Sequence, residues 1–175
     1  MMANDTTSKL RDWIVEPLEP HHTREVFDCG VESLNIFLRQ QAGQNAKKGV
    51  SRTFVAVTET DAAIVGYYTL AMSSLGFHDL PNEKHLSHYP IPIAYLGRLA
   101  VDLQYRGRHI GEFLLFHALQ RVQVISEQIG VFAVEVKALD EAVSQFYIQY
   151  GFVPMSDDPL HLYITLKSIR KFDLR

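Results

Sequence analysis

The sequence predicts an α/β (α+β) fold, one central sheet with helices on both faces. Three observations predict it. Two β-rich runs, "RTFVAVTE" (52–59) and "AIVGYYTLAMSS" (63–74), are separated by "TDA" and form a hairpin pattern. From residue 93 onward, strand patterns and helix patterns alternate. Within that half, residues 108–129 place Ile110, Phe113, Leu114, Ala118, Val122, Ile125 and Ile129 mostly three or four apart. That is the period of a long amphipathic helix.

Each element follows in order. The polar start, 1–11, is expected to be frayed, and 12–175 to form a single domain, since 175 residues suffice for one core. "DWIVEPL" (12–18) is a short strand ended by Pro17. "VESLNIFLRQQAGQ" (31–44) puts Leu34, Phe37 and Leu38 on one helical face, with Gly43 near its end. A polar, basic connection (43–51) leads to the hairpin. Residues 76–92 carry three prolines and three histidines and predict an irregular loop. A strand over 93–102 precedes the long helix, which Gly130 ends. "VFAVEVKA" (131–138) is a strand, and "DEAVSQFYIQY" (140–150) a short helix stopped by Gly151. "FVPM" and "LHLYITLK" (160–167) predict a closing hairpin.

Composition narrows the function classes. Hydrophobic residues make up 47% and charged residues 21%, with a net charge of −3 and a pI near 6.2. No global basic field advertises nucleic acid, so any RNA contact falls to a local patch. Cys29 is the single cysteine; intrachain disulfides are excluded, and a cytoplasmic location is expected. Beside Gly30, Cys29 is read as a small packing residue. The start lacks the apolar core of a signal peptide. The longest apolar run, Ala62 to Met72, is interrupted by Gly66 and Thr69 and is too short to span a bilayer. No membrane association is expected.

The stretch "VDLQYRGRHIGEFLL" (101–115) carries the first chemistry. A strand ends at Asp102, a turn follows, and a helix opens with Gly111 in its first turn. Free amides and the dipole at a helix N-terminus favour phosphate. Gly107 and Gly111 permit close backbone approach, and Arg106 and Arg108 add positive charge. No Gly-Lys-Ser/Thr follows, so this is not a Walker A loop, and the first glycine pair of a dinucleotide fingerprint is missing. Taken alone, the stretch also fits an ordinary strand–helix turn with exposed arginines.

"YLGRLAVD", "RGRHIG" and "FYIQYGF", in this order and spacing, resemble the GCN5-related N-acetyltransferases (GNATs). Their pyrophosphate signature, Gln/Arg-x-x-Gly-x-Gly/Ala, falls on Arg106-Gly107-Arg108-His109-Ile110-Gly111, with His109 in the slot of the middle glycine. If that slot needs a positive φ, histidine costs roughly 1 kcal/mol. The resemblance implies the GNAT fold, a mixed, mostly antiparallel sheet with a splayed strand, and acetyl-CoA as the acyl donor. In that family an amine attacks the thioester and a thiolate leaves, so the site supplies a donor for the developing oxyanion and an acid for the thiolate. The resemblance places the strand amides of Leu99, Ala100, Val101 and Leu103 along the acetyl and pantetheine groups, Val101 at the thioester carbonyl. It gives the pyrophosphate to Arg106, Gly107, Arg108, His109, Ile110, Gly111 and Glu112, and further coenzyme contacts to Ala142 and Phe146. It makes Tyr147 the general acid, with Tyr150 in reserve; an unperturbed phenol, with a pKa of about 10, is protonated at neutral pH. The competing reading of Tyr147 is a core aromatic like Phe146 and Phe152.

Farther upstream, "FDCGVESLNIFLRQQAGQN", then "RTFVAVTETDAAIVGYYTLAMSS", then "YLGRLAVD" resemble the acetyltransferase toxins of bacterial toxin–antitoxin pairs. That resemblance implies the α-amine of aminoacyl-tRNA as acceptor, a ribbon-helix-helix antitoxin as partner and a homodimer. An α-amine with a pKa of about 8 is partly neutral at pH 7 and needs no strong base. Glu135 and Glu32 are the carboxylates available for one, both otherwise ordinary surface charges. Lys47, Lys48 and Arg52, with Arg24 and Arg39 nearby, form a candidate phosphate-contacting patch, and Lys167, Arg170, Lys171 and Arg175 a basic tail. Arg98 is placed on the acceptor side of the cleft. His78, His85 and His88 match no common zinc spacing, so no metal is expected and the loop is read as shaping the acceptor pocket. Two alternatives stay open: an acetyltransferase for a small amine or a protein amine, and a non-catalytic acyl-CoA-binding module.

Overall fold

The computed structural model describes residues 13–83, 85–86 and 90–172; the 1–11 stretch, His88 and Arg175 lie outside the described residues. Among the described residues, seven strands form one mostly antiparallel sheet in the order β1-β2-β3-β4-β5-β7-β6. These are β1 (Trp13–Pro17), β2 (Arg52–Thr58), β3 (Asp61–Leu75), β4 (Ile91–Val101), β5 (Ala133–Lys137), β6 (Val153–Pro154) and β7 (His161–Thr165). The helices are α1 (Glu32–Ile36), α2 (Ala42–Lys47), α3 (Ile110–Ile125), α4 (Glu141–Ile148) and α5 (Leu166–Ile169). The chain divides into two compact units, one comprising residues up to Thr69 with Arg98–Leu115, the other Leu70–Gly97 with residues from Phe116 on.

In the first unit, β1 runs antiparallel to β2 from Trp13↔Thr58 to Pro17↔Phe54. Its core gathers Phe27, Cys29, Phe37, Leu38, Ala42, Val55, Val57, Tyr67 and Ala100, all buried. The helix expected over 31–44 runs on to Lys47, through a π-helical turn at Phe37–Gln41. Gly43 does not end it. A mid-helix glycine costs about 1 kcal/mol, which burial of Phe37, Leu38 and Ala42 outweighs. The stop is Gly49, whose φ of 71° supplies the left-handed residue that closes a helix. The long helix begins at Ile110, later than expected, because Gly107 and His109 both have positive φ.

Gly66, on β3, has no room for a side chain. A Cβ there would lie 2.8 Å from Leu114 Cδ1 and 2.9 Å from the Ala100 carbonyl oxygen. The carbonyl belongs to a strand and cannot rotate away. Gly66→Ala is therefore expected to destabilise the protein by about 1–3 kcal/mol, read as a lower urea midpoint with an unchanged slope.

In the second unit, β4 and β5 pair in parallel only at Ile93↔Ala133, Ala94↔Val134 and Tyr95↔Glu135, although both strands continue. This early end to the ladder is the expected splay. β5 pairs antiparallel with β7 along its whole length. Glu135, read above as an ordinary surface charge, is buried, and its carboxylate pairs with His161 Nε2 at 2.8 Å. Alternation along β5 places Glu135 opposite Tyr163 of β7, and the register puts His161 within reach.

Candidate active site

The turn after β4 is built from the chain's own capping chemistry. The Asp102 amide donates to the Val65 carbonyl at 2.9 Å, and strand alternation then turns the Val101 amide toward the opposite edge of β4. The Asp102 carboxylate is buried and accepts from the Gln104 amide (2.9 Å) and the Asp28 amide (3.0 Å). The Asp28 carbonyl in turn accepts from the Leu103 amide at 2.9 Å. Asp28 also accepts from Gly30 N–H (2.8 Å) and Asn35 Nδ2 (2.9 Å), which hold its carboxyl below the usual range. Asp28, Asn35 and Asp102 thus tie segment 28–35 to the turn. The sequence reading missed these three; the signal for Asp102 was an aspartate immediately before a turn.

Beyond Asp102 the backbone opens into an anion cradle. Among the described residues, the amides of Gly107, Arg108, His109, Ile110, Gly111 and Glu112 have no acceptor. Two of these residues, Gly107 (φ 75°) and His109 (φ 60°), are left-handed, which curves successive amides into one concavity. This concavity opens onto the N-terminus of α3, where the helix dipole adds positive potential. A pyrophosphate fits such a surface. Arg108 is exposed, its guanidinium 5.2 Å from the Tyr105 ring centre. Arg106 instead donates to the Cys29 carbonyl at 2.8 Å and anchors the turn.

His109 is the sole non-glycine residue with positive φ among those described, so the histidine does sit in the strained slot. Its exposed ring meets Glu112 at 3.2 Å across the first helical turn. His109→Gly is expected to leave thermal stability unchanged or higher, by up to about 1 kcal/mol, because strain is removed while unfolded-state entropy rises. His109→Val should lower it by more than about 1 kcal/mol. Calorimetry on the two variants separates strain from loss of the Glu112 contact, since both lose that contact.

The other candidate residues of this unit differ in their surroundings. Arg98 is half-buried, with its guanidinium carbon 3.7 Å above the centre of the Phe37 ring. Tyr67 stacks on that ring and donates its hydroxyl to the Leu34 carbonyl at 2.8 Å. Lys47, Lys48 and Arg52 are exposed between the end of α2 and the start of β2. Arg39 is not part of that face; it is half-buried and donates to the Phe27 carbonyl at 2.6 Å. Arg24 donates to the Glu19 carbonyl at 3.2 Å. Cys29 packs in the core, and burial raises its thiol pKa. Leu99 and Val101 are half-buried, Ala100 is buried and Leu103 exposed.

In the second unit, α4 starts at Asp140, whose side chain accepts from the Val143 amide at 2.9 Å. Ala142 lies exposed in its first turn, and Phe146 is half-buried. Tyr147 is buried, with Phe146 and Phe152 each 5.2 Å away centre to centre. Burial, and then the neighbouring Tyr95, hold its phenol above the ordinary value of 10.0. Tyr150 makes edge contacts with Phe116 and Phe146, both at 5.3 Å. Lys167, Arg170 and Lys171 are exposed; His85 faces Glu83 at 3.7 Å, and His78 is exposed.

The acetyltransferase (GNAT) domain family matches residues 50–154. "Probable toxin TacT" of Sinorhizobium fredii is 32% identical over 97% of this chain and 98% of its own length. The "tRNA-acetylating toxin" of Mycobacterium tuberculosis is 37% identical over 82% of this chain and 86% of its own. AtaT, solved with acetyl-methionyl-tRNAfMet, superposes with a TM-score of 0.85 at 31% identity, over 91% of this chain and 98% of that one. A tyrosine-to-phenylalanine AtaT mutant, bound to the C-terminus of the antitoxin AtaR and to acetyl-CoA, gives 0.79 at 29% identity, over 91% and 96%. Among the described residues, no helix is long and apolar enough to cross a membrane.

Proposed function

The chain belongs to the GNAT N-acetyltransferases, and from that membership we propose that it moves acetyl from acetyl-CoA to the α-amine of aminoacyl-tRNA, as the toxin of a toxin–antitoxin pair. The acceptor is carried by one observation: the match to a tRNA-acetylating toxin extends over most of both chains. The partner is carried by the AtaT–AtaR likeness. This reading adds a ribbon-helix-helix antitoxin, a homodimer and a cytoplasmic location.

Acetyl-CoA supplies the activated acyl group; the chain's residues do the rest. The amides from Gly107 to Glu112 and the Arg108 guanidinium hold the diphosphate. The outward-turned Val101 amide hydrogen-bonds the carbonyl oxygen as negative charge grows there. Tyr147 offers its O–H to the departing sulfur. Apolar walls suit that task, because they keep the phenol protonated. Lys47, Lys48 and Arg52 take backbone phosphates of the tRNA, and Arg98 lines the acceptor side.

Two groups shape the pH profile. The α-amine loses its proton near pH 8, so kcat/KM climbs through that region. Tyr147 must stay protonated, and its pKa is raised, so it imposes no fall below about pH 10. A profile from pH 6 to 10 should therefore rise to a plateau. A descending limb centred well below 10 would remove Tyr147 from the acid's role.

The test uses labelled acetyl-CoA, the purified protein and a pool of charged tRNA. Label on the aminoacyl group is expected. Label on protein N-termini or small amines instead would favour the second acetyltransferase reading. Tight coenzyme binding with no transfer to any amine would favour the binding module.

A further inference from the structure

We propose that Glu16, His21 and His22 form a binding site for a divalent transition-metal ion of the zinc type, separate from the acetyl-transfer machinery. Among the described residues, this is the one group whose histidine and carboxylate ligand atoms all lie within 4.8 Å of one another. His22 Nε2 is 2.6 Å from Glu16 Oε1, and His21 Nε2 is 3.8 Å from the same oxygen. Ligand bonds of about 2.0–2.1 Å in a tetrahedron set neighbouring ligand atoms roughly 3.3 Å apart. One separation has to open and the other to close, each by well under about 1 Å. The two imidazoles lie 4.1 Å apart centre to centre at 34°, so adjacent rings face the carboxylate together.

The histidines are held in place before any ion arrives. The His22 side chain is fully buried. Its Nδ1 accepts from the Glu19 amide at 2.9 Å and lies 3.2 Å from the Glu19 carbonyl. For an ion to take Nε2, the ring proton that now faces Glu16 at 2.6 Å moves to Nδ1, whose outer-shell acceptor is then the Glu19 carbonyl. The loop is pinned at both ends. Leu18 N–H donates to Thr53 at 2.9 Å, and Thr23 N–H to Ala62 at 3.0 Å. Pro17 and Pro20 fix two φ angles between them. His21 and Glu16 are solvent-accessible, with side chains 64% and 40% exposed, so an ion can enter and water can complete its shell.

Two neutral imidazoles and one carboxylate suit zinc, which takes nitrogen and oxygen ligands without a strong geometric preference. A carboxylate-rich calcium or magnesium site would look different. Arg24 donates to the Glu19 carbonyl (3.2 Å). A bound ion would tie the sheet's edge strand β1 to the loop that follows it. β1 also carries Trp13, whose ring meets Tyr105, beside the anion cradle, edge-on at 5.6 Å. The metal-free expectation rested on the 76–92 histidines, which this site does not use.

Tag-free protein stripped of metal is titrated with Co2+, read by visible absorption, and with Zn2+, read by competition with a chromophoric chelator. One ion per chain is expected, with tetrahedral-type Co2+ bands and a rise in Tm on adding Zn2+. Glu16→Gln and His21→Ala should each weaken binding by at least ~10-fold; both side chains are accessible, so folding survives, as circular dichroism would verify. His85→Ala should leave affinity unchanged. No binding at millimolar Zn2+, or equal affinity in all three variants, overturns the site and leaves the Glu16–His22 contact as a hydrogen bond alone.

Discussion

Replacing Tyr147 with phenylalanine is expected to slow acetyl transfer by ~10²–10⁴-fold, the usual contribution of a positioned proton donor. Coenzyme affinity and Tm should stay nearly constant. The aromatic ring keeps its contacts with Phe146 and Phe152, each at 5.2 Å. Single-turnover kinetics at saturating coenzyme isolates the chemical step, and calorimetry measures stability. A purely structural tyrosine would behave differently, with an intact rate. Tyr150→Phe is the matched comparison. Collapse of the rate there, with Tyr147→Phe fully active, would transfer the acid's role to Tyr150, in the turn after α4.

Where one residue's spacing decided an element, the sequence was legible. The 3.6-residue period and the hairpin pattern of 52–59 and 63–74 needed no tertiary knowledge, although the helix expected over 108–129 stops at Ile125 and Gly130 does not end it. The anion cradle was legible in outline, because Gly107, Gly111 and two arginines follow a strand and open a helix. What His109 does was not legible, since the same residue is harmless in a helical slot and strained in a left-handed one. Its φ of 60° decides that. Arg39 illustrates a second limit. Charge and neighbourhood in the chain put it in the basic patch, yet the π-helical turn aims it at the Phe27 carbonyl. The Asp28–Asn35–Asp102 network spans 74 positions between Asp28 and Asp102, and local patterns carry no record of such a pairing. Glu135 shows the same blindness. Its burial depends on a β7 partner 26 residues away.

That Glu135–His161 pair should be the most stability-sensitive polar contact in the second unit. His161→Leu leaves the Glu135 carboxylate buried without its partner and is expected to cost about 3–5 kcal/mol. Glu135→Gln keeps an acceptor for Nε2–H and should cost far less, on the order of 1 kcal/mol. The double change, Glu135→Leu with His161→Leu, removes both polar groups from a site lined by strand neighbours. It should be more stable than His161→Leu alone, because no charge is stranded. With the single Glu135→Leu variant added, urea unfolding closes a double-mutant cycle with an expected coupling of about 1–3 kcal/mol. Asp157, 4.0 Å from His161 Nδ1 and exposed, is too distant and too well solvated to substitute. Additive costs would mean that Glu135 and His161 are held independently by the β5–β7 ladder. A strongly non-additive result would make the pair itself a clamp between β5 and β7.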